Sequence, residues 1–294
     1  MAYNSKKHYS TSQLFNFEKD SYLERTSRPI YAAAFLLPFI IFYEIGTMVI
    51  NTSLLSQYWQ GRVVAFSWLQ SSLRYLGFSS KFAWIAAPLA VILILLSLQL
   101  TSRKQWYFRF RDICPMAVEC VLLAIPLIVL SCFLNSSSAV QEPLPASGYQ
   151  NQIISSCQVS QAQAEQPRAG RREALLANIV TGIGAGIYEE LIFRLILICL
   201  FMIFFQDILQ LSHNSAIVIS VILSAVLFSA HHHVIFINGR LVQSSAFNFT
   251  EFGFRTAAGI YFAALFAVRG FGITAGTHAF YDIMAASINA FFLE

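Results

Sequence analysis

The chain has 294 residues, 56% of them hydrophobic and 12% charged, and a mean hydropathy of +0.59. Soluble domains carry about 25% charged residues, so the composition excludes an ordinary soluble protein and indicates an all-α, polytopic bundle of about seven transmembrane helices. The net charge of +4 gathers between the apolar runs, where it bears on lipid headgroups and not on nucleic acid.

Residues 1–29 read as a polar tail carrying Lys6, Lys7, Lys19, Arg25 and Arg28, with no cleavable signal peptide expected, and Pro29 marks a helix start. Residues 30–134 hold the first membrane helices, with spans predicted over 30–50, 82–100 and 113–134. Between the first two lies an amphipathic segment, 63–76, expected on the membrane surface. Arg103, Lys104, Arg109 and Arg111 crowd the loop between the second and third. Residues 135–172 turn to Ser, Gln, Ala, Pro and Gly without apolar periodicity, which predicts a flexible extramembrane loop. The next apolar run, 173–205, exceeds the ~20 residues of one crossing, so a surface-lying lead-in is expected before Gly182, Gly184 and Gly186. Spans over 216–236, 255–268 and 271–292 complete the chain. Cys114, Cys120, Cys132, Cys157 and Cys199 show no metal-binding or redox spacing and read as packing residues. Slightly more loop and tail Lys/Arg fall on the side of the N-terminus, which favours a cytoplasmic N-terminus.

Three places carry polar groups that an apolar span does not tolerate idly. In TGIGAGIYEELIFRLILICLFMIFF, Glu189, Glu190 and Arg194 interrupt a bilayer-wide apolar run, at about 2.5–3.5 kcal/mol each on insertion scales. On a helix Glu190 and Arg194 share a face, while Glu189 points about 100° away. Arg194 then holds Glu190, and Glu189 is left for chemistry; a structural ion-pair network is the plainer alternative. In LSAVLFSAHHHV, Phe228 and His232 stand four residues apart, and the ~100° turn between successive residues separates His231 and His233 from that face. His278 and Asp282 in GTHAFYDI project together, either as a pair of metal ligands or as a histidine oriented by a carboxylate. Glu44 and Glu119 read as bundle contacts or cavity walls.

The succession Glu189-Glu190-x-x-x-Arg194, Phe228-x-x-x-His232, His278-x-x-x-Asp282 resembles the CPBP intramembrane proteases, the group that includes the type II CAAX prenyl endopeptidases and the bacteriocin-processing and immunity proteins. The resemblance covers residues 173–292, the last of the expected domains, and implies a helical bundle whose site lies within the bilayer. It implies Glu189 as general base on water, Glu190 with Arg194 as its support, and His232, His278 and Asp282 around the scissile carbonyl. The substrate would be a membrane-embedded or lipid-modified protein or peptide in the bacterial cell membrane. The prenyl-processing members favour Asn where this chain has Asp282; an ionised Asp cannot donate to an oxyanion, so Asp282 is protonated, orients His278, or helps bind a cation. No cofactor is expected, with zinc on His232, His278 and Asp282 as the alternative. Helix rise places His278 about 10 Å from the depth of Glu189 and His232. Two rival functions remain: a proton- or ion-coupled transporter, whose relays also use buried Glu, His and Asp, and a catalytically silent immunity or scaffold protein of the same fold.

Overall fold

The computed structural model describes residues 17–52, 64–75, 77, 80–139, 168–237, 240–243 and 248–292. The first part of the predicted tail, most of the predicted 135–172 loop and Cys157 lie outside the described residues. Among the described residues, six helices are long and apolar enough to cross a membrane. In chain order the elements are a short α1 (Tyr22–Thr26), α2 (Pro29–Thr52), α3 (Val64–Tyr75), α4 (Ser80–Ser102), α5 (Ile113–Ala139), α6 (Arg168–Glu190, running on through wider π-helical turns to Ile208), α7 (His213–His233), the strands β1 (Val234–Ile237) and β2 (Arg240–Gln243), and α8 (Phe249–Phe292). α8 is broken at Gly270, whose φ of 75° and ψ of −179° are not helical and suit a residue without Cβ. Phe262 and His278, equidistant from Gly270, stack with centroids 4.6 Å apart at 14°, so the two arms fold back on each other. The six long helices thus amount to the seven apolar segments expected.

Three boundaries differ from expectation. α6 runs unbroken through Gly182, Gly184 and Gly186, so the stretch before them is no separate surface helix; its Ala, Leu, Arg and Glu are strong helix formers and carry the helix on. α5 likewise continues past 134 to Ala139. α7 ends at His233, and the residues predicted to finish its span form β1, paired antiparallel with β2. Val234, Ile235 and Ile237 are β-branched, and the intervening Asn238-Gly239 is a hairpin-favouring pair.

The membrane helices are apolar all round. On α4, Ala87, Val91 and Leu95 are buried at four-residue steps, while Ile85, Leu89 and Leu93 are exposed at the same steps, as for a helix with one face in the bundle and one in lipid. α2, α4, α6 and α8 build the main core, and α5 closes against α8 in a second cluster around Leu127, Phe262 and Tyr281. Cys114, Cys120, Cys132 and Cys199 form no disulfide among the described residues, and Cys120 is buried in the core as a packing residue is.

Near the Gly270 turn sits a polar cluster that pins the N-terminal segment to the bundle. Arg269 forks onto Glu119 at 2.6 and 2.8 Å, and donates to the Leu23 carbonyl at 2.9 Å and the Thr26 hydroxyl at 2.8 Å. Tyr22 donates to Glu119 at 2.8 Å; burial, and then this hydrogen bond, push its phenol above the ordinary value, so it stays a donor. Arg25 reaches Asp112 at 3.1 Å, and Asp112 also accepts from Tyr31 at 3.0 Å. Glu119 is therefore the bundle contact expected of it. Replacing Arg269 by Ala is expected to cost about 1.5–3 kcal/mol, the worth of charged hydrogen bonds, read as a lower thermal midpoint in detergent; an unchanged midpoint would remove α1 from the list of structural elements.

Candidate active site

The site exists because α6 and the second arm of α8 approach at backbone distance. A Cβ on Gly186 would stand 2.6 Å from the Ala279 nitrogen and 2.9 Å from the Ala275 carbonyl oxygen, and one on Gly182 would stand 2.5 Å from Asp282 Cβ. Small residues at such crossings are how membrane helices gain close packing without a hydrophobic driving force. The glycines set the register that brings the end of α6, with Glu189 and Glu190, beside His278 and Asp282.

Glu190, wholly buried, is held at both oxygens. Its Oε2 lies 3.1 Å from Arg194 Nε and its Oε1 2.7 Å from His278 Nδ1. The Arg194 contact is off the line of a good hydrogen bond, so charge more than direction holds it, and the guanidinium also rests 4.2 Å above the Phe228 ring and donates to the Gly259 carbonyl at 3.4 Å. A carboxylate only accepts, so His278 Nδ1 carries the proton in this bond. His278 Nε2 faces Asp282 Oδ2 at 3.7 Å, and Phe262 stacks on the ring. The 10 Å depth mismatch expected from the sequence is absent. With α6 unbroken from Arg168, Glu189 and Glu190 sit deep in their span, at the level His278 reaches in α8.

The π-helical turns Leu191–Leu197 follow Glu190 directly. Such turns disturb the α-helical ladder, and here Ser224 of α7 donates to the Phe193 carbonyl at 2.6 Å, tying α7 to α6 beside the site.

Glu189, 6% exposed, looks the other way, toward the end of α7. His231 Nε2 lies 3.6 Å from Glu189 Oε1. Both His231 and His232 direct Nδ1 at the Phe228 carbonyl, His232 at 2.9 Å, an orientation that in the neutral ring leaves Nε2 as the acceptor. The ligand atoms of Glu189, His231 and His232 lie within 4.8 Å of one another, the one group of potential metal-holding side chains among the described residues. The structure therefore gathers His232 with His231 and Glu189, and sets His278 and Asp282 on the Glu190 side. Arg255, paired with Glu251 at 2.6 Å, is within electrostatic range of Glu189, His232 and Asp282.

Sequence reasoning passed over His231 and Arg255. The helical wheel set His231 about 100° from His232, but at a helix end both rings swing to one carbonyl. Glu251-x-x-x-Arg255 repeats the Glu190-x-x-x-Arg194 spacing and was the available signal for Arg255. Glu44 only grazes the site, through Tyr188 Oη at 3.4 Å.

Arg194→Ala is expected to lower thermal stability by about 3–5 kcal/mol, because it leaves the Glu190 charge buried with one partner fewer. Melting in detergent reads this independently of any activity. A variant that melts with the wild type would mean that the ion pair contributes nothing to the fold.

Residues 171–284 match a family model described as Type II CAAX prenyl endopeptidase Rce1-like. No curated protein and no solved structure matches the chain. The matched stretch contains all six polar residues of the motifs and both sides of the site described above. The chain is an integral, multi-pass membrane protein, and over residues 171–284 it is similar to the Rce1-like type II CAAX prenyl endopeptidases, the protease group its motifs resemble.

Proposed function

We propose that the protein is an intramembrane endopeptidase that hydrolyses a peptide bond of a membrane-embedded or lipid-modified substrate, with Glu189 activating the attacking water and the N-terminus in the cytoplasm. The observation that carries this reading is the division of labour between adjacent glutamates. Glu190 is consumed by Arg194 and His278, whereas Glu189 faces two imidazoles with free Nε2 lone pairs. In the reaction Glu189 takes a proton from water as the oxygen adds to the scissile carbonyl carbon. That proton then passes to the leaving nitrogen as the carbon–nitrogen bond breaks, giving a carboxylic acid and an amine. His278, fixed by Glu190 and flanked by Asp282, orients the carbonyl side, and its protonated form can donate to the developing oxyanion. Arg255 supplies positive charge within range of the same space.

The same donor set fits zinc. Two neutral imidazoles and a carboxylate, with each ring oriented by its other nitrogen, form a common catalytic zinc ligand set, and Glu189, His231 and His232 would hold the ion. A zinc ion there would supply Lewis acidity and a water of lowered pKa. Either way the chain's own contribution is to bring Glu189, His231 and His232 to one point.

Glu189→Gln is expected to lose about 10²–10⁴-fold in turnover, the usual contribution of a general base, while melting as the wild type. The assay is purified protein in detergent against a library of fluorogenic membrane peptides, and wild-type turnover in Glu189→Gln would refute the assignment. Asp282→Asn is expected to keep much of the rate, and chelator to leave it unchanged, if water is activated without a metal. Metal analysis beside these rates decides the point: stoichiometric zinc, with loss in chelator restored by added zinc, would move the mechanism to the Glu189-His231-His232 ligand set.

A further inference from the structure

One wall of the site comes from outside the family-matched stretch. α3 seats Phe66 in the core, 4.8 Å from Tyr188 and 5.7 Å from Tyr43, and Leu69 and Leu73 pack on the same side. Trp68 leaves this helix about 100° from Leu69 and so comes off its flank. There its ring lies 5.9 Å from His231 and 6.3 Å from Phe193, and Phe193 in turn is 4.7 Å from His231. Phe193 and His231 are buried, but Trp68 is only half-buried. The three rings therefore cluster beside Glu189, and of the three the indole alone keeps an exposed surface.

We infer that Trp68 is a specificity-determining residue: its indole, backed by the buried Phe193, is the face that receives an apolar side chain of the peptide substrate next to the scissile bond. The inference rests on the endopeptidase reading and adds to it the source of side-chain preference. An indole presents a large, rigid apolar surface at small entropic cost, and it stands one imidazole away from the proposed base. An apolar side chain laid on it would sit beside the carbonyl that Glu189 serves. A large residue at that substrate position gains contact that a small one cannot, and pocket differences of one or a few methylenes are worth about tenfold or more in kcat/KM. The first half of the chain thereby bears on substrate choice, while the chemistry stays in residues 171–284.

The test uses the full-length protein in detergent with two fluorogenic membrane peptides that differ only in Leu or Ala beside the cleaved bond, assayed on wild type, Trp68→Ala, Trp68→Phe and Glu189→Gln. Wild type is expected to prefer the Leu peptide. Trp68→Ala should reduce the Leu-to-Ala ratio of kcat/KM by about tenfold, chiefly through a raised KM for the Leu peptide, and Trp68→Phe should retain most of it. If Trp68→Ala does not fold, Trp68→Leu takes its place with the same expected loss. An unchanged ratio, or an equal loss on both peptides, overturns the inference by making Trp68 a packing residue. Absence of cleavage of both peptides by wild type, or cleavage undiminished in Glu189→Gln, which places the chemistry away from the Trp68 rings, overturns this inference, and the first of these overturns the endopeptidase reading with it; both are distinct from an unchanged ratio.

Discussion

Glu190 is the residue on which the arrangement depends. A carboxylate at this depth has no water to turn to, and its charge is tolerable only if both oxygens meet positive or donating groups. One comes from its own helix, Arg194, and the other from His278 on α8. The carboxylate thus joins two helices far apart in sequence, and it does so only because Gly182 and Gly186 let those helices touch. Arg194 is itself a buried charge and depends on Phe228 of α7 and the Gly259 carbonyl of α8. Each group is held by the next, so the polar interior acts as one unit binding α6, α7 and both arms of α8.

A second polar layer near the Gly270 turn does different work. Arg269, Glu119, Tyr22 and Thr26 saturate one another, leaving no acceptor poised toward a common open point. The contrast with Glu189 is the basis of the proposed division between structural and chemical use of charge within one membrane bundle. In the turn cluster each carboxylate meets donors, as stability demands. At Glu189 a carboxylate oxygen instead meets an imidazole nitrogen at 3.6 Å, with a second imidazole close by.

Much of this is legible in the sequence where polarity is rare. Glu190 with Arg194 and His278 with Asp282 stand out because each interrupts an apolar run, and four-residue spacing survives both the α-helical and the wider turns. Depth is not legible, since it hangs on where α6 starts, and the Ala- and Arg-rich lead-in reads equally as loop border or helix. Nor is the inward face of α2, α4 or α5. Ile85 and Val91 are equally apolar, yet one is exposed and the other buried; a lipid-facing side chain is as hydrophobic as a core one, so periodicity carries no signal. His231 was missed for a different reason, because ring rotation at a helix end is set by a shared carbonyl and not by the helical wheel.

The two glutamates share a backbone bond and a dielectric, so sequence alone gives no reason for their different fates beyond direction. The structure supplies the reason in the partners that each direction meets. Glu190 turns toward α8, where His278 Nδ1 donates to its Oε1, while Arg194 of its own helix sets positive charge beside its Oε2. Glu189 turns toward the end of α7, where His231 and His232 have already given their Nδ1 protons to the Phe228 carbonyl. Three acceptors converging in a buried space repel one another unless something with hydrogens or positive charge lies between them. Water with two hydrogens meets that demand, and so does a divalent cation carrying water. Both proposed readings therefore begin from one feature, a buried carboxylate that faces two imidazoles at the end of α7.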